Sequence, residues 1–368
     1  MKFTASKTDL QAAMTTAIRA VPSHTTMPIL NCVLITAFGM NNIIITSNDM
    51  DMGIETRIRG TVDREGFVAI DAKMFSDIIR KMPNEIVTFE SDEQNNIKIR
   101  SGRAKFDIGG KNGEEFPSLP SIERDEGIMI SQFTLKSVIN QTIFSLAAND
   151  NNKIMTGELF EIKGNILRLV ALDGHRIAIR KVALKEECRD RKVIIPGKTL
   201  SDISKILPGE MNENVIIYFS KNHIIFEIPG TRVISRLIDG EYFNVDSMIS
   251  RDYETKITLN RNEYISCVDR ALLFVKEGDK KPLINEIEDQ TIRISIESPL
   301  GSMNDELEAE KEGKDIYIGF NPKFLMDVLR VIEDDSVSLY LISPKAPCFI
   351  RDEDETYIYI VLPVNFVR

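Results

Sequence analysis

KMFSDIIRKM (Lys73–Met82), KTLSDISKIL (Lys198–Leu207) and KFLMDVLRVI (Lys323–Ile332) are one ten-residue phrase read three times, 125 residues apart. Lys73, Lys198 and Lys323 fall in register, as do Asp77, Asp202 and Asp327, and Arg80, Lys205 and Arg330. The apolar positions repeat with them: Ile78, Ile203 and Val328, then Met82, Leu207 and Ile332. Each phrase follows a β-rich run, FVAID, KVIIP or DIYIGF. Self-similarity at a fixed period decides architecture ahead of any single motif. The chain of 368 residues is therefore expected to hold three copies of one domain-sized module, each large enough to bury its own core.

Working outward from the phrase gives the rest of the module. Each copy opens with a strand and a helix, at Phe3–Ala20, Ile130–Ala148 and Ile257–Val275. In the second opening Leu135, Val138, Ile139 and Thr142 recur at three- and four-residue spacing, the period of an amphipathic helix. Hairpin signals follow, with branched apolar residues alternating and Gly, Asn and Asp marking the turns, as in ELFEIKGNILRLVALDG. The repeated phrase is then a second helix, stopped by Pro83 and Pro208 in two of the copies, and further strands close the unit. The fold class is α+β: three tandem β-rich, two-helix domains, at 1–124, 125–250 and 251–368. Polar linkers run over Gly110–Arg124 and Asp239–Thr255.

A hydrophobic fraction of 43% with 28% charged residues is ordinary for a soluble globular protein. The opening MKFTASKTDLQAAM lacks a secretory apolar run, and no stretch approaches the ~18 apolar residues of a membrane span. Cys32, Cys188, Cys267 and Cys348 stand far apart without a CxxC, which fits free thiols and a cytoplasmic location. No metal or cofactor is expected.

The net charge of −10 argues, taken alone, against nucleic acid. Its distribution matters more. With helices at 6–20, 71–82, 131–148, 196–207, 260–276 and 321–332, each carries +1, or +6 together, and the remainder carries −16. Mildly basic helices on an acidic body suit a non-specific phosphate-facing surface, although six ordinary solvated helices read the same way by charge alone.

Three motifs invite a catalytic reading. IPGKTL (Ile195–Leu200) resembles the end of a P-loop, but Lys192 stands where its first glycine belongs. Asp173-Gly174-His175-Arg176 pairs an acid with an imidazole, yet no nucleophile motif accompanies it, and Asp173 falls at the repeat position of Asn48 and Ser298, a turn. The acidic run Asp305–Glu310 lacks the spacing of a calcium loop. The C-terminal run Tyr357–Val364 is an apolar strand ended by Pro363; it is either core or the border of a groove for an extended peptide.

The order of several short motifs resembles the bacterial DNA polymerase III beta subunit, the sliding clamp family. They are the opening MKF, MPIL (Met27–Leu30), SGRAKF (Ser101–Phe106), FPSL (Phe116–Leu119), LDGHRIA (Leu172–Ala178), LIDGEY (Leu237–Tyr242), GFNPKFLMDVL (Gly319–Leu329) and IVLPV (Ile360–Val364). The resemblance spans essentially the whole chain. It implies a DNA clamp fold and a head-to-tail homodimer closing a ring of six domains around double-stranded DNA. It implies a non-enzymatic replication processivity factor that slides without reading sequence. The basic helices would face phosphates and the acidic body would stay outside.

The implied partners are duplex DNA, a second copy of the chain, the DNA polymerase III catalytic subunit, the clamp loader, and other polymerases and repair proteins that carry clamp-binding peptides. The implied peptide pocket comprises Met155, Leu172, Gly174, His175, Arg176, Ile177, Phe243, Met248, Val361, Leu362, Pro363 and Val364. Two departures from the family pattern fall there: Phe243 replaces a common proline, and the tail reads Pro363-Val364-Asn365-Phe366 with Val367 and Arg368 added. DNA-facing candidates are His24, Asn149 and Lys153 on loops, with Lys73, Arg80, Lys198, Lys205, Lys323 and Arg330 on the repeated helix. The ring contact maps to Arg103, Lys105 and Phe106 on the first domain and to Leu272, Leu273, Glu306 and Glu308 on the third. The remaining alternative is a repeat scaffold that binds peptides without encircling DNA.

Overall fold

The repeated phrase is helical in all three copies, and its bounds keep the period. A computed structural model describes residues 1–122, 124, 127–148, 152–276 and 281–366. Among them are six α-helices: α1 (Lys7–Ala17), α2 (Ala72–Lys81), α3 (Gln132–Asn140), α4 (Gly197–Ile206), α5 (Arg261–Leu272) and α6 (Pro322–Val331). Side-chain caps start several of them. Asp71 Oδ1 accepts from the Met74 amide at 2.8 Å, and Asn321 Oδ1 accepts from the Lys323 amide at 3.0 Å. Each phrase buries its apolar stripe, Phe75, Ile78 and Ile79 in α2 and Leu325, Val328 and Leu329 in α6.

The opening helices are shorter than their periodicity suggests. The expected helix over 131–148 stops at Asn140. There the Thr142 hydroxyl turns back onto the Val138 and Ile139 carbonyls at 2.8 and 3.2 Å, and a separate 3₁₀ turn covers Ile143–Ser145. Likewise α1 gives way to a 3₁₀ turn at Ile18–Ala20, and α5 ends at Leu272.

Two compact units form, and they do not follow the repeat. One holds Met1–Phe133 with Lys205–Leu237, the other Thr134–Ser204 with Ile238–Arg368; the division falls inside α3 and α4. The first unit is built on a 12-stranded sheet. In it the first module's strand Met52–Arg64 pairs antiparallel with the second module's Thr231–Arg236, Ile54 opposite Val233. Its helices α1 and α2 pack together over a core in which the Phe3 and Phe89 rings stack at 5.0 Å and Phe75 meets Phe89 edge-on at 5.8 Å. The sheet ends at strand Ala104–Gly109.

The second unit carries a seven-stranded and a four-stranded sheet. A long hairpin, Gly157–Leu172 with Arg176–Pro196, joins the seven-stranded sheet through the pairing of Arg176–Arg180 with Tyr357–Val361. The four-stranded sheet runs in the order Gly301–Glu308, Thr291–Ser298, Leu283–Glu288, Ile316–Phe320, so its first and last strands are edges. Helices α5 and α6 pack against each other over the core of this unit.

Candidate functional site

The turn at the end of the long hairpin organises the site. Leu172 and Ile177 are register partners, and Asp173-Gly174-His175 connects the strands. Gly174 sits at φ +82°, a left-handed conformation that a side chain resists. Asp173 Oδ1 accepts from the amides of His175 (2.9 Å) and Arg176 (3.1 Å), so its carboxylate is a turn former, as its repeat position predicted.

Arg176 pins this turn to the rest of its unit. Its Nε donates to Asp173 Oδ2 (3.0 Å), its Nη1 to Asp327 Oδ2 on α6 (2.6 Å) and its Nη2 to the Phe144 carbonyl (2.6 Å). That carbonyl lies in the 3₁₀ turn left by the early end of α3. The guanidinium also lies over the Phe324 ring at 4.4 Å. With its side chain 10% exposed, Arg176 is a near-buried fork spent on structure. The His175 ring stacks at 6.0 Å on Phe324.

Apolar walls gather around the turn. Met155, Ile177 and Phe243 are half-buried against one cluster containing Leu172, Ile179, Val245, Ile358 and Ile360. The linker that brings Phe243 is fixed at two points. The Ile238 amide donates to the Ile194 carbonyl at 2.9 Å, and the Tyr242 hydroxyl donates to the Val170 carbonyl at 3.0 Å. Val361 is buried at the end of its strand, and the Leu362 amide donates to the His175 carbonyl at 2.9 Å, so Leu362, Pro363 and Val364 leave beside the turn. Met248 stands apart, half exposed at the end of a 3₁₀ turn. Phe144, Phe324 and Asp327, which hold the turn, escaped the sequence reading; the repeat marked Asp327, but only as a helix position.

A buried acid lies in the same strand as these walls. Glu158 is fully buried, and burial pushes its carboxyl up to about 8. The nearby Thr142 hydroxyl spends its proton on the Val138 carbonyl, and both Glu158 oxygens lack a hydrogen bond among the described residues. Burial also raises the Tyr242 phenol, and Glu158 adds to that shift. Three residues on, Glu161 behaves oppositely. Burial alone would raise it, yet Lys192 (2.9 Å), Lys163 (3.1 Å) and Arg168 (3.1 Å) together hold it down at about 2.

The other predicted positions separate into two settings. On the repeated helices Lys73, Arg80, Lys198, Lys205, Lys323 and Arg330 are all exposed. Arg80 is paired with Asp77, and Arg330 lies 3.9 Å from Asp269. His24 and Lys153 are exposed, and Asn149 lies outside the described residues. Lys73 has a second neighbourhood: with Met74, Ile78 and Phe106 it lines a groove of about 390 Å³, so a residue expected to face DNA shares a surface with one expected at the ring contact. Arg103 and Lys105 are exposed beside half-buried Phe106. Leu273 is 76% exposed while Leu272 packs on the core. Glu306 is paired with Arg293 at 3.0 Å, and Glu308 is exposed.

Comparison with known proteins decides the family. Three family models match in tandem: the DNA polymerase III beta subunit N-terminal domain over residues 1–120, its central domain over 129–244 and its C-terminal domain over 246–365. The chain belongs to the bacterial beta sliding clamp family. The beta sliding clamp of Staphylococcus epidermidis is 31% identical, with 99% of each chain covered. A crystal structure of a putative DNA polymerase III beta subunit from Eubacterium rectale superposes with a TM-score of 0.96 at 54% identity, covering 100% of this chain and 99% of that one. The Bacillus subtilis sliding clamp gives 0.96 at 33% identity, with both chains fully covered. A clamp of this family is a non-catalytic processivity factor of DNA replication, and Asp173 and His175 accordingly serve the turn.

Proposed function

We propose that two copies of the chain close head to tail into a ring around duplex DNA, and that the pocket beside the Asp173–Arg176 turn holds peptides of the replicative polymerase, the clamp loader and repair proteins in the cytoplasm. The observation that carries the ring is a pair of open sheet edges of opposite charge. Strand Ala104–Gly109 ends its sheet with half-buried Ala104, Phe106 and Ile108 alternating with exposed Lys105 and Asp107, and Arg100 and Arg103 nearby leave this edge net basic. Strand Gly301–Glu308 ends the four-stranded sheet with half-buried Met303, Asp305 and Leu307 alternating with exposed Glu306 and Glu308. An open edge is a template for another strand, and these two edges on different copies satisfy each other in backbone, apolar face and charge. Leu273 and the groove at Phe106 and Lys73 add apolar surface to that contact.

The exposed cations of the repeated helices suit loose contact with phosphates, because a sliding protein gains nothing from reading bases. Residence on DNA then comes from topology, with little demand on affinity. The test is to load the protein on nicked circular DNA and then cut the circle. Retention that survives linearisation would overturn the ring, as would a solution mass equal to one 41.7 kDa chain. For the pocket, overlapping synthetic peptides tiled along the polymerase catalytic subunit are titrated by fluorescence anisotropy, and binding lost in Leu172→Asp assigns the site.

A further inference from the structure

The segment after the last strand does more than leave the pocket. Strand Ile316–Phe320 is an edge of the four-stranded sheet, paired on one side with Leu283–Ile287. On it lies Leu362–Phe366. The Leu362 amide donates to the His175 carbonyl at 2.9 Å, and two residues later the Val364 amide donates to the Gly319 carbonyl at 2.8 Å. Another two residues on, the Phe366 ring meets Tyr317 edge-on, centroids 5.3 Å apart. Steps of two are the spacing of an extended strand.

Gly319 makes the seat. It stands two residues from Tyr317 on the same face of the strand, and a Cβ there would approach Phe366 Cδ1 to 2.7 Å and Cε1 to 2.9 Å. An aromatic ring thus fills the space left by a missing side chain. The next residue after the strand, Asn321, caps α6, whose Phe324 carries His175 and Arg176 of the turn. The shelf under Phe366 therefore continues into the pocket floor within one unit.

We propose that Leu362–Phe366 is a built-in stand-in for the partner peptide: incoming peptides displace Phe366 and Val364, pair with the edge of Ile316–Phe320 and place an aromatic residue on Gly319. This rests on the reading of the pocket as the peptide site. The chemistry of the occupant is read from the stand-in itself, an extended apolar segment ending in an aromatic ring. Among the described residues a backbone bond from Val364 to Gly319 and a ring contact between Phe366 and Tyr317 join it to the edge, and an incoming extended segment can make both. A stand-in docked in nine molecules of ten lowers the apparent affinity for its competitor about tenfold.

The test uses the full dimer and the tightest of the polymerase peptides tiled above. Removing residues 365–368 should tighten that peptide's Kd about tenfold. Adding Gly319→Ala to the shortened chain should take the gain away, because the methyl occupies the ring's seat. Equal affinity of the full and shortened chains overturns the stand-in while leaving the pocket intact; absence of binding by both overturns the pocket reading itself. Hydrogen exchange on the unaltered protein guards against a misfolded variant. Saturating peptide should speed exchange at the Val364 amide, and slowed or unchanged exchange there overturns displacement.

Discussion

Replacing Glu158 with glutamine should make the protein more resistant to urea at pH 8.5 while leaving it no better, or slightly worse, at pH 5. In the folded chain the carboxyl keeps its proton up to about pH 8, whereas in the unfolded chain it ionises near 4.5. Between those values the folded state binds more protons than the unfolded one, so the parent loses stability as pH rises through the window. At ~1.4 kcal/mol per pKa unit, the penalty is about 3 kcal/mol at pH 7 and about 5 above pH 8. Below 4.5 it vanishes. Glutamine has no proton to lose, so its own cost, about 1–3 kcal/mol for an unsatisfied buried amide, is constant with pH. The gap between variant and parent should therefore move by several kcal/mol from pH 5 to 8.5. The chain has no tryptophan, so the urea midpoint is best followed by far-UV circular dichroism. The difference between the two proteins cancels every other titrating group. Parallel midpoint curves across this range would refute the buried, protonated carboxyl.

Arg176→Ala leaves Asp173 and Asp327 without their cation and should cost about 2–4 kcal/mol, less than a fully buried pair because Asp327 is partly exposed. Peptide affinity should fall with it, and Arg176→Lys should not restore it, because an ammonium cannot fork to three acceptors; unchanged affinity in either variant would contradict the pinning role. Leu273→Asp should convert dimer to monomer in sedimentation while shifting the single chain's stability by no more than about 0.5 kcal/mol, since the side chain is 76% exposed; a persisting dimer counts against the edge contact. Glu161→Gln should destabilise at pH 7 by about 1–2 kcal/mol after allowance for solvent around its lysines. That carboxyl is depressed on folding, so the difference should shrink as pH falls from 4.5 toward 2, and a difference that grows in acid would reverse the assignment.

The repeat made α2, α4 and α6 legible, because each combines a 3.6-residue apolar stripe with a stop signal or cap beside it. That Leu172, Ile177 and Phe243 would come together was legible by resemblance, and they share one apolar cluster; the turn role of Asp173 was legible by its place in the period. What stayed hidden was long-range. Arg176 meets Asp327 across 151 positions, and nothing local in GHRI marks an arginine whose three guanidinium nitrogens each donate within its own unit. Glu158 was hidden because GELFEI does not alternate cleanly. Its two acids, three positions apart, fall on opposite faces of the strand, so each face reads as partly wet, yet both are buried. The length of α3 failed for a smaller reason: a threonine hydroxyl competing for the last carbonyls leaves no trace in apolar periodicity.

The pairing of Met52–Arg64 with Thr231–Arg236, and of Arg176–Arg180 with Tyr357–Val361, bears on how the chain can be cut. A fragment made at the repeat borders would tear both ladders and bare two long apolar strand edges. The middle copy, excised alone, would lose a neighbour on each side and should come out of the cell as inclusion bodies. Viable fragments would have to follow the sheets, fusing Met1–Phe133 to Lys205–Leu237, or Thr134–Ser204 to Ile238–Arg368, through a new linker, which no single cut at a repeat border achieves. Three similar modules have in this way been made mutually dependent: the periodicity is a property of the sequence, while cooperativity belongs to the ladders that ignore it.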